Sequence, residues 1–412
     1  MTRRCLAAAL MAAAVSSFAM EAAPAVSAKS LILVEAARGS ALVERNADEP
    51  IPPASLAKLA TLAVLGEELD AGRLSLSTPV EVRAGEAWNE LPWNSSVMYL
   101  ERGMRVTVGD LARGLAVASA NDAAFVLARV VSGSVSGFSA RMNAVARRYG
   151  LVVTRFEEPS GLSDRNLTTA REMAAFALAY LAERPDFVES LHSLPSFEFP
   201  KPANFPPGRR VPAGYVPPVL ENRNPLLGAY PGCDGLKTGY ISESGFNFVA
   251  SAEREGTRFV LVLLGASATG TADAQARRVE DGSALLDWAF ENWVTVRPVL
   301  PDFEPARVWK GSERSLAGIP AGSLAATVPR SVSGDARAVV EAYPELLAPI
   351  PASARVGLVK VLAGEQVYAR VALVAPREVG AGSWLRRLLD SIILFFRSAF
   401  GGSAAPLLPA AA

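Results

Sequence analysis

Three short groups of residues in this chain could do chemistry together. The first is Ser55-Leu56-Ala57-Lys58. Pro52 and Pro53 fix the backbone ahead of it, and the Ala- and Leu-rich run that follows predicts a helix. Ser55 then sits in the first turn, with Lys58 beside it on the same face. A serine hydroxyl attacks poorly at neutral pH unless a base lies within hydrogen-bond reach. An amine can be that base when burial or a second cation depresses its pKa. The helix start also turns backbone N–H groups toward developing negative charge. The second group is Ser119-Ala120-Asn121. From a loop, its hydroxyl could relay a proton and its amide could hold a peptide group. The third is Lys237-Thr238-Gly239, followed by Tyr240. A lysine and a hydroxyl at a strand edge suit a substrate carboxylate. Gly239 lets backbone come close to a bound peptide, and the Tyr240 N–H could be a second oxyanion donor beside that of Ser55.

These groups must be brought together by elements far apart in the chain. Ser30 to Leu42 reads as two strands around a turn at Arg38-Gly39-Ser40. The Ser55 helix should run to about Leu69 and stop near Asp70-Ala71-Gly72. Val108 to Ser132 reads as helix in two pieces, broken at the Ser119 group. Phe138 to Tyr149 and Thr169 to Leu181 read as amphipathic helices, and Arg278 to Trp293 as another. Phe246 to Ala252 and Arg258 to Leu264 are apolar strand runs joined at Glu255-Gly256. This alternation predicts an α/β (α+β) domain with a mostly antiparallel sheet. After Trp293, Pro298, Pro301 and Pro305 make a stiff connection. Short alternating stretches punctuated by Gly and Pro then predict a small all-β domain.

Both ends of the chain differ from its middle. Arg3 and Arg4 precede an apolar run from Leu6 to Phe18, the pattern of a secretory signal. Cleavage is expected after Val26-Ser27-Ala28, with Ser17-Phe18-Ala19 the rival. Near the other end, Trp384 to Phe400 separates on a helical wheel into a wide apolar half and a basic polar half. Its apolar run is far below the ~20 residues needed to span a bilayer, so the helix should lie in the membrane interface. The expected organisation is a signal peptide over 1–28, a first domain over 29–296 and a β-rich domain over 297–380. The amphipathic helix covers 383–400 and a disordered tail 401–412.

Composition removes several alternatives. The chain has 412 residues, half of them hydrophobic, and a formal net charge of zero. That balance argues against a nucleic-acid partner. A single histidine, His192, excludes a multi-His metal site, and it reads as structural or surface. Of the two cysteines, Cys5 falls within the signal, so Cys233 has no intrachain partner and reads as packing.

The order Ser-x-x-Lys, Ser-x-Asn, Lys-Thr-Gly in an exported chain resembles the penicillin-binding proteins and class A β-lactamases. Pro52 to Leu62, Ala118 to Leu127, Glu158 to Met173 and Asn222 to Ala252 resemble more narrowly the D-alanyl-D-alanine carboxypeptidases, the low-molecular-mass penicillin-binding proteins of the serine peptidase S11 family. Leu346 to Pro376 looks like that family's C-terminal β domain, and the tail helix like its membrane anchor. The resemblance implies a serine β-lactamase/transpeptidase fold. It also implies that Ser55 is the acylated nucleophile and Lys58 its general base, and that Ser119 passes a proton to the leaving amine. Asn121 would hold the substrate amide. Lys237 and Thr238 would bind the terminal carboxylate, and Lys237 would help keep Lys58 neutral. The implied reaction removes the terminal D-alanine from peptidoglycan pentapeptide stems, with no cofactor or metal, at the periplasmic face of the cytoplasmic membrane. β-Lactam antibiotics would be the inhibitors. Alternatives are a D,D-endopeptidase or β-lactamase of the same fold, or a non-catalytic wall-organising protein. Tyr240 stands where the family often has His, and Ala120 where it often has Gly.

Overall fold

The structure, a computed structural model, describes residues 22–400. The basic and apolar run up to Phe18, Cys5, the rival cleavage site after Ala19 and the tail 401–412 lie outside them.

The first domain is built on a five-stranded antiparallel sheet in the order β2-β1-β9-β8-β7. Its strands are β1 (Ser30–Glu35), β2 (Ala41–Arg45), β7 (Cys233–Ile241), β8 (Gly245–Arg254) and β9 (Thr257–Ala266). Between β2 and β7 come α1 (Lys58–Asp70), the small ribbon β3 (Pro79–Glu81) with β4 (Arg105–Thr107), and α2 (Val108–Arg113). Then follow α3 (Asn121–Ser132), α4 (Val135–Arg148), α5 (Ala170–Glu183), the single turn α6 (Pro185–Phe187), and the ribbon β5 (Ser196–Glu198) with β6 (Val219–Glu221). The helix α7 (Thr271–Asn292) closes the domain.

Alternation along the strands decides which layer each residue joins. Ile32, Val34, Val260 and Val262 face a core shared with α1, α3, α4 and α5. Leu31, Leu33, Phe259 and Leu261 face the opposite side, where Leu285, Leu286 and Trp288 of α7 cover them. The sheet is therefore covered on both faces, which is why β8 and β9 read as nearly unbroken apolar runs. The helix α1 has no polar face, and it is the central helix of the domain, with Leu59, Leu62 and Val64 fully buried. The helix α7 begins seven residues before the expected Arg278. Its first two turns, from Thr271 to Arg277, are polar and gave no apolar period to read.

Residues 23–28 belong to this domain. Ser27 donates through its N–H and its hydroxyl to Asp281 Oδ2 at 3.0 and 2.6 Å, Ala28 is buried, and Ala23 and Val26 pack on the α7 side of the sheet. Cleavage after Ala28 would remove these contacts.

The second domain contains β10 (Trp293–Val296), β11 (Ala306–Trp309), β12 (Ser315–Leu316), β13 (Ile319–Pro320), β14 (Ala326–Pro329), β15 (Arg337–Ala342), β16 (Glu345–Leu347), β17 (Arg355–Ala363) and β18 (Gln366–Val374). Its largest sheet runs β13-β18-β17-β15, and a second runs β12-β11-β16 around Val308, Leu346, Ile350 and Leu373. The strand β10 continues straight from α7 and pairs with β14, so the boundary drawn at 296/297 falls just after a strand shared by both domains. The Thr327 hydroxyl at that junction donates to Glu35 Oε2 at 2.7 Å, and the same carboxylate caps the turn after β1.

The last element is α8 (Trp384–Ala399), N-capped by Ser383. Polar ties hold it on the second domain: Lys310 N–H donates to Asp390 Oδ2 at 2.5 Å, Arg386 to Glu313 O at 2.6 Å, and Arg397 pairs with Glu345 at 2.7 Å. Its apolar face is left uncovered, with Leu388 at 49 % and Phe395 at 68 % exposure. No single helix among the described residues is long and apolar enough to cross a membrane.

Candidate active site

Ser55 lies in a turn of 3-10 helix, Ala54–Ala57, that runs directly into α1. Ala54 has a left-handed backbone (φ +51°), unusual for a residue with a side chain. Two glycines make this turn possible. A Cβ on Gly161 would stand 2.0 Å from the Ala54 carbonyl oxygen, and one on Gly239 would stand 2.9 Å from Pro53 O and 3.1 Å from Ser55 N. Gly239 therefore lets the edge strand β7 close onto the turn that carries Ser55. Its close approach is to this chain's own backbone, in addition to any bound peptide.

Lys58 is fully buried below the turn. Its Nζ contacts Ser55 Oγ at 2.8 Å, Asn121 Oδ1 at 2.6 Å and Ser160 O at 2.5 Å. Burial first of all, aided by the charge of Arg223, pulls its pKa down to about 7 against the opposing pull of Glu158 and Asp122. A neutral amine has two N–H bonds and one lone pair. The Asn121 and Ser160 oxygens can only accept, so the two N–H bonds go to them. The lone pair is left for the Ser55 hydroxyl, which donates. That is the arrangement a general base needs. Asn121 thus has a task not foreseen from its spacing: its Oδ1 orients Lys58, and its Nδ2 remains for a substrate.

Ser119 follows a single π turn, Gly114–Ala118, and is itself left-handed (φ +59°). The break between α2 and α3 turns Ser119 and Asn121 into the same cleft. That cleft, of about 210 Å³, is lined by Ser55, Ser119, Asn121, Thr238, Gly239 and Tyr240. Seven of the eight site residues chosen from sequence line it or touch Ser55 directly.

Lys237 is the exception. It is buried behind the cleft, donates to Thr238 O at 3.2 Å, and is not part of the lining. Burial and then the neighbouring Lys58 push its pKa well below the ordinary lysine value. Lys58 and Lys237 each disfavour the other's charge, and burial is the larger cause for both. Arg278 of α7 is a cation that does line the cleft. It is held by Gly239 O at 2.9 Å and Asn247 O at 3.2 Å, and its guanidinium lies over the Phe246 ring. Sequence reading placed Arg278 as a helix start and missed its role, because a lone arginine in a polar turn gives no signal. Arg223, Gln275 and the Asn94–Ser96 loop also line the cleft and were missed.

Several neighbours are supports. Asp122 is buried and accepts from Met98, Leu100 and Ala123 N–H, tying the 94–100 loop to the start of α3. Burial raises its pKa to about 6. Glu158 accepts from Ser160, Gly161 and Ser163 N–H, so its carboxylate builds the loop that presents Ser160 O and Gly161. His192 lies outside the cleft. It donates from Nδ1 to Leu236 O and accepts the Tyr180 hydroxyl at Nε2. Burial lowers its pKa to about 4, so it is neutral and structural. Burial raises the Cys233 thiol to about 11, which keeps it protonated and inert. No cluster suited to a metal ion occurs among the described residues.

Residues 17–268 match the family model of D-alanyl-D-alanine carboxypeptidase, Peptidase S11. The chain belongs to that family. Residues 299–381 match the C-terminal domain of penicillin-binding protein 5. Among curated relatives of this carboxypeptidase-family chain is D-alanyl-D-alanine carboxypeptidase DacC of Escherichia coli (strain K12), 35 % identical over 92 % of this chain and 91 % of that protein. Among solved structures, penicillin-binding protein 5 from Haemophilus influenzae superposes with a TM-score of 0.75 at 28 % identity, covering 87 % of this chain and 99 % of that one. Penicillin-binding protein D2 from Listeria monocytogenes, solved in an ampicillin-bound form, has a TM-score of 0.54 at 27 % identity, over 66 % of this chain and 100 % of that one.

Proposed function

We propose that this chain is a serine D-Ala-D-Ala carboxypeptidase that trims the terminal D-alanine from peptidoglycan pentapeptide stems. The observation that carries the reading is the Lys58 amine, buried and with its lone pair facing Ser55 Oγ at 2.8 Å. Ser55 Oγ attacks the carbonyl carbon of the penultimate D-alanine, and its proton passes to Lys58 Nζ. The oxyanion is received by the N–H groups of Ser55 and Tyr240. The C–N bond breaks, and the proton taken up by Lys58 passes through the Ser119 hydroxyl to the leaving amine, which returns Lys58 to its neutral form. Asn121 Nδ2 holds the substrate amide. The Thr238 hydroxyl and Arg278 hold the terminal carboxylate, with Lys237 buried behind them. Water then attacks the ester carbonyl and gives its proton to Lys58, which passes it to Ser55 Oγ as the C–O bond breaks and the shortened stem leaves. A β-lactam would acylate Ser55 through opening of its ring, as the ampicillin-bound Listeria relative supports.

The same reading places the protein outside the cytoplasmic membrane, exported by its N-terminal signal. Cleavage after Ala19 accords with the packing of residues 23–28, because it keeps the Ser27–Asp281 bonds in the mature chain. The uncovered apolar face of α8 would lie in the periplasmic leaflet of the membrane. Mass spectrometry of a D-Ala-D-Ala stem peptide tests the activity. Wild type should release one D-alanine and Ser55→Ala none; release by the Ser55→Ala protein would overturn the assignment.

A further inference from the structure

A cleft of about 580 Å³ lies between α8 and the second domain and shares no lining residue with the Ser55 cleft. Its two walls differ in chemistry. Leu385, Leu389 and Ile393 of α8, spaced a turn apart, make an apolar wall that is continuous with the exposed face of the helix. Arg307 and Arg314 of the second domain, with Arg386 of the helix, supply the cationic lining.

The charges in that lining are not balanced. Asp390 is the one carboxylate in the lining, and it is occupied by the Lys310 N–H. Arg386 donates to Glu313 O at 2.6 Å and lies 3.9 Å from Asp390 Oδ2, so its charge is set against that carboxylate. Arg307 lies over the Trp309 ring, 3.7 Å from its centroid, and forms no ion pair among the described residues. Arg314 forms none either. Three cations against one anion leave an excess of two positive charges beside an apolar stripe. A guanidinium fork matches a phosphate diester in charge and geometry.

We propose that this cleft binds the phosphate headgroup of an anionic phospholipid. The proposal rests on the reading that α8 lies in a membrane. The phosphate sits between Arg307 and Arg314, while the first methylenes of the lipid run along Leu385, Leu389 and Ile393. The occupant is a bilayer lipid and not a free phosphate, because only a lipid fills both walls. The site would add headgroup selectivity to a helix whose apolar face alone has none. It would also seat the second domain, and not just the helix, against the bilayer.

The test is co-sedimentation of the full chain with two kinds of vesicle: phosphatidylcholine alone, and phosphatidylcholine partly replaced by phosphatidylglycerol. Wild type should bind both, the anionic vesicles more tightly. Arg314→Gln, a change to a side chain with no ion pair to lose, should remove roughly fivefold of the difference between the vesicles. Arg307→Gln/Arg314→Gln should remove nearly all of it while binding to phosphatidylcholine is kept. Arg387→Gln removes the same charge from α8 outside the cleft and should cost much less. Equal losses from Arg387→Gln and Arg314→Gln would mean diffuse attraction and overturn the site. Equal binding of wild type to both vesicles would overturn the site and leave the anchoring intact. Failure to bind either vesicle would overturn the anchoring reading and this one with it.

Discussion

A lysine that works as a base must be kept from being a cation, and the surroundings of Lys58 do this mainly by excluding water. Acylation should therefore follow the unprotonated fraction of Lys58. Its rate should rise with pH through about 7 and then level, read as the rate of penicilloylation of Ser55. Lys58→Ala should slow that step by about a hundredfold or more. Lys237→Arg, a change behind the cleft, should cost far less; equal losses would argue against Lys58 as the base. At this scale the sequence was informative wherever the chemistry needed a fixed spacing. Ser55 and Lys58 meet because they are a turn apart in one helix. Ser160 O, the third contact of Lys58, is a backbone atom, and no residue type announces it. The role of Arg278 was hidden for another reason: its partners, Gly239 O and Asn247 O, are strand carbonyls that any sequence would supply.

The elements converge on the Ser55 turn because glycine leaves room for them. Gly161→Ala would drive a methyl group into the Ala54 carbonyl. The displaced turn should lower acylation by about a hundredfold even in protein that remains folded, checked by circular dichroism beside a penicillin-binding assay. The wall on the far side of the cleft hangs on Asp122. Asp122→Ala would strand the Met98 and Leu100 N–H groups, at a cost of about 1–3 kcal/mol in denaturant unfolding. The sign of its pH dependence follows from the raised pKa. A carboxyl that protonates more readily when folded helps stability fully below its unfolded pKa of 3.8. That help is lost as pH rises through about 6. Asp122→Asn should flatten the dependence between those values. Helix and strand types were legible from their periods, as in β8, β9 and α5. The polar opening turns of α7 and the short strands β11 and β16 were not, since each is too brief or too polar to show a period.

At the scale of the whole molecule, two domains legible from composition turn out to be joined more firmly than their proline-rich connection suggested. That connection follows β10, and β10 is already paired with β14. Thr327→Val should weaken the junction by removing the hydroxyl that bonds Glu35, with a loss of about 1 kcal/mol in thermal unfolding and little change in acylation. Deleting Trp384 to Ala412 should release the protein from membrane fractions with Ser55 chemistry intact; a truncated form that still pellets would refute the anchor.

The shared strand has a consequence for where the enzyme can work. With β10 paired to β14 and α8 fastened to the second domain, a membrane seat for that helix would hold the reactive serine at one height above the bilayer. So seated, the protein would be a stand of fixed length and not a tethered float. Stems at that level of the wall would come within its reach, and those nearer or farther would have to be brought to it.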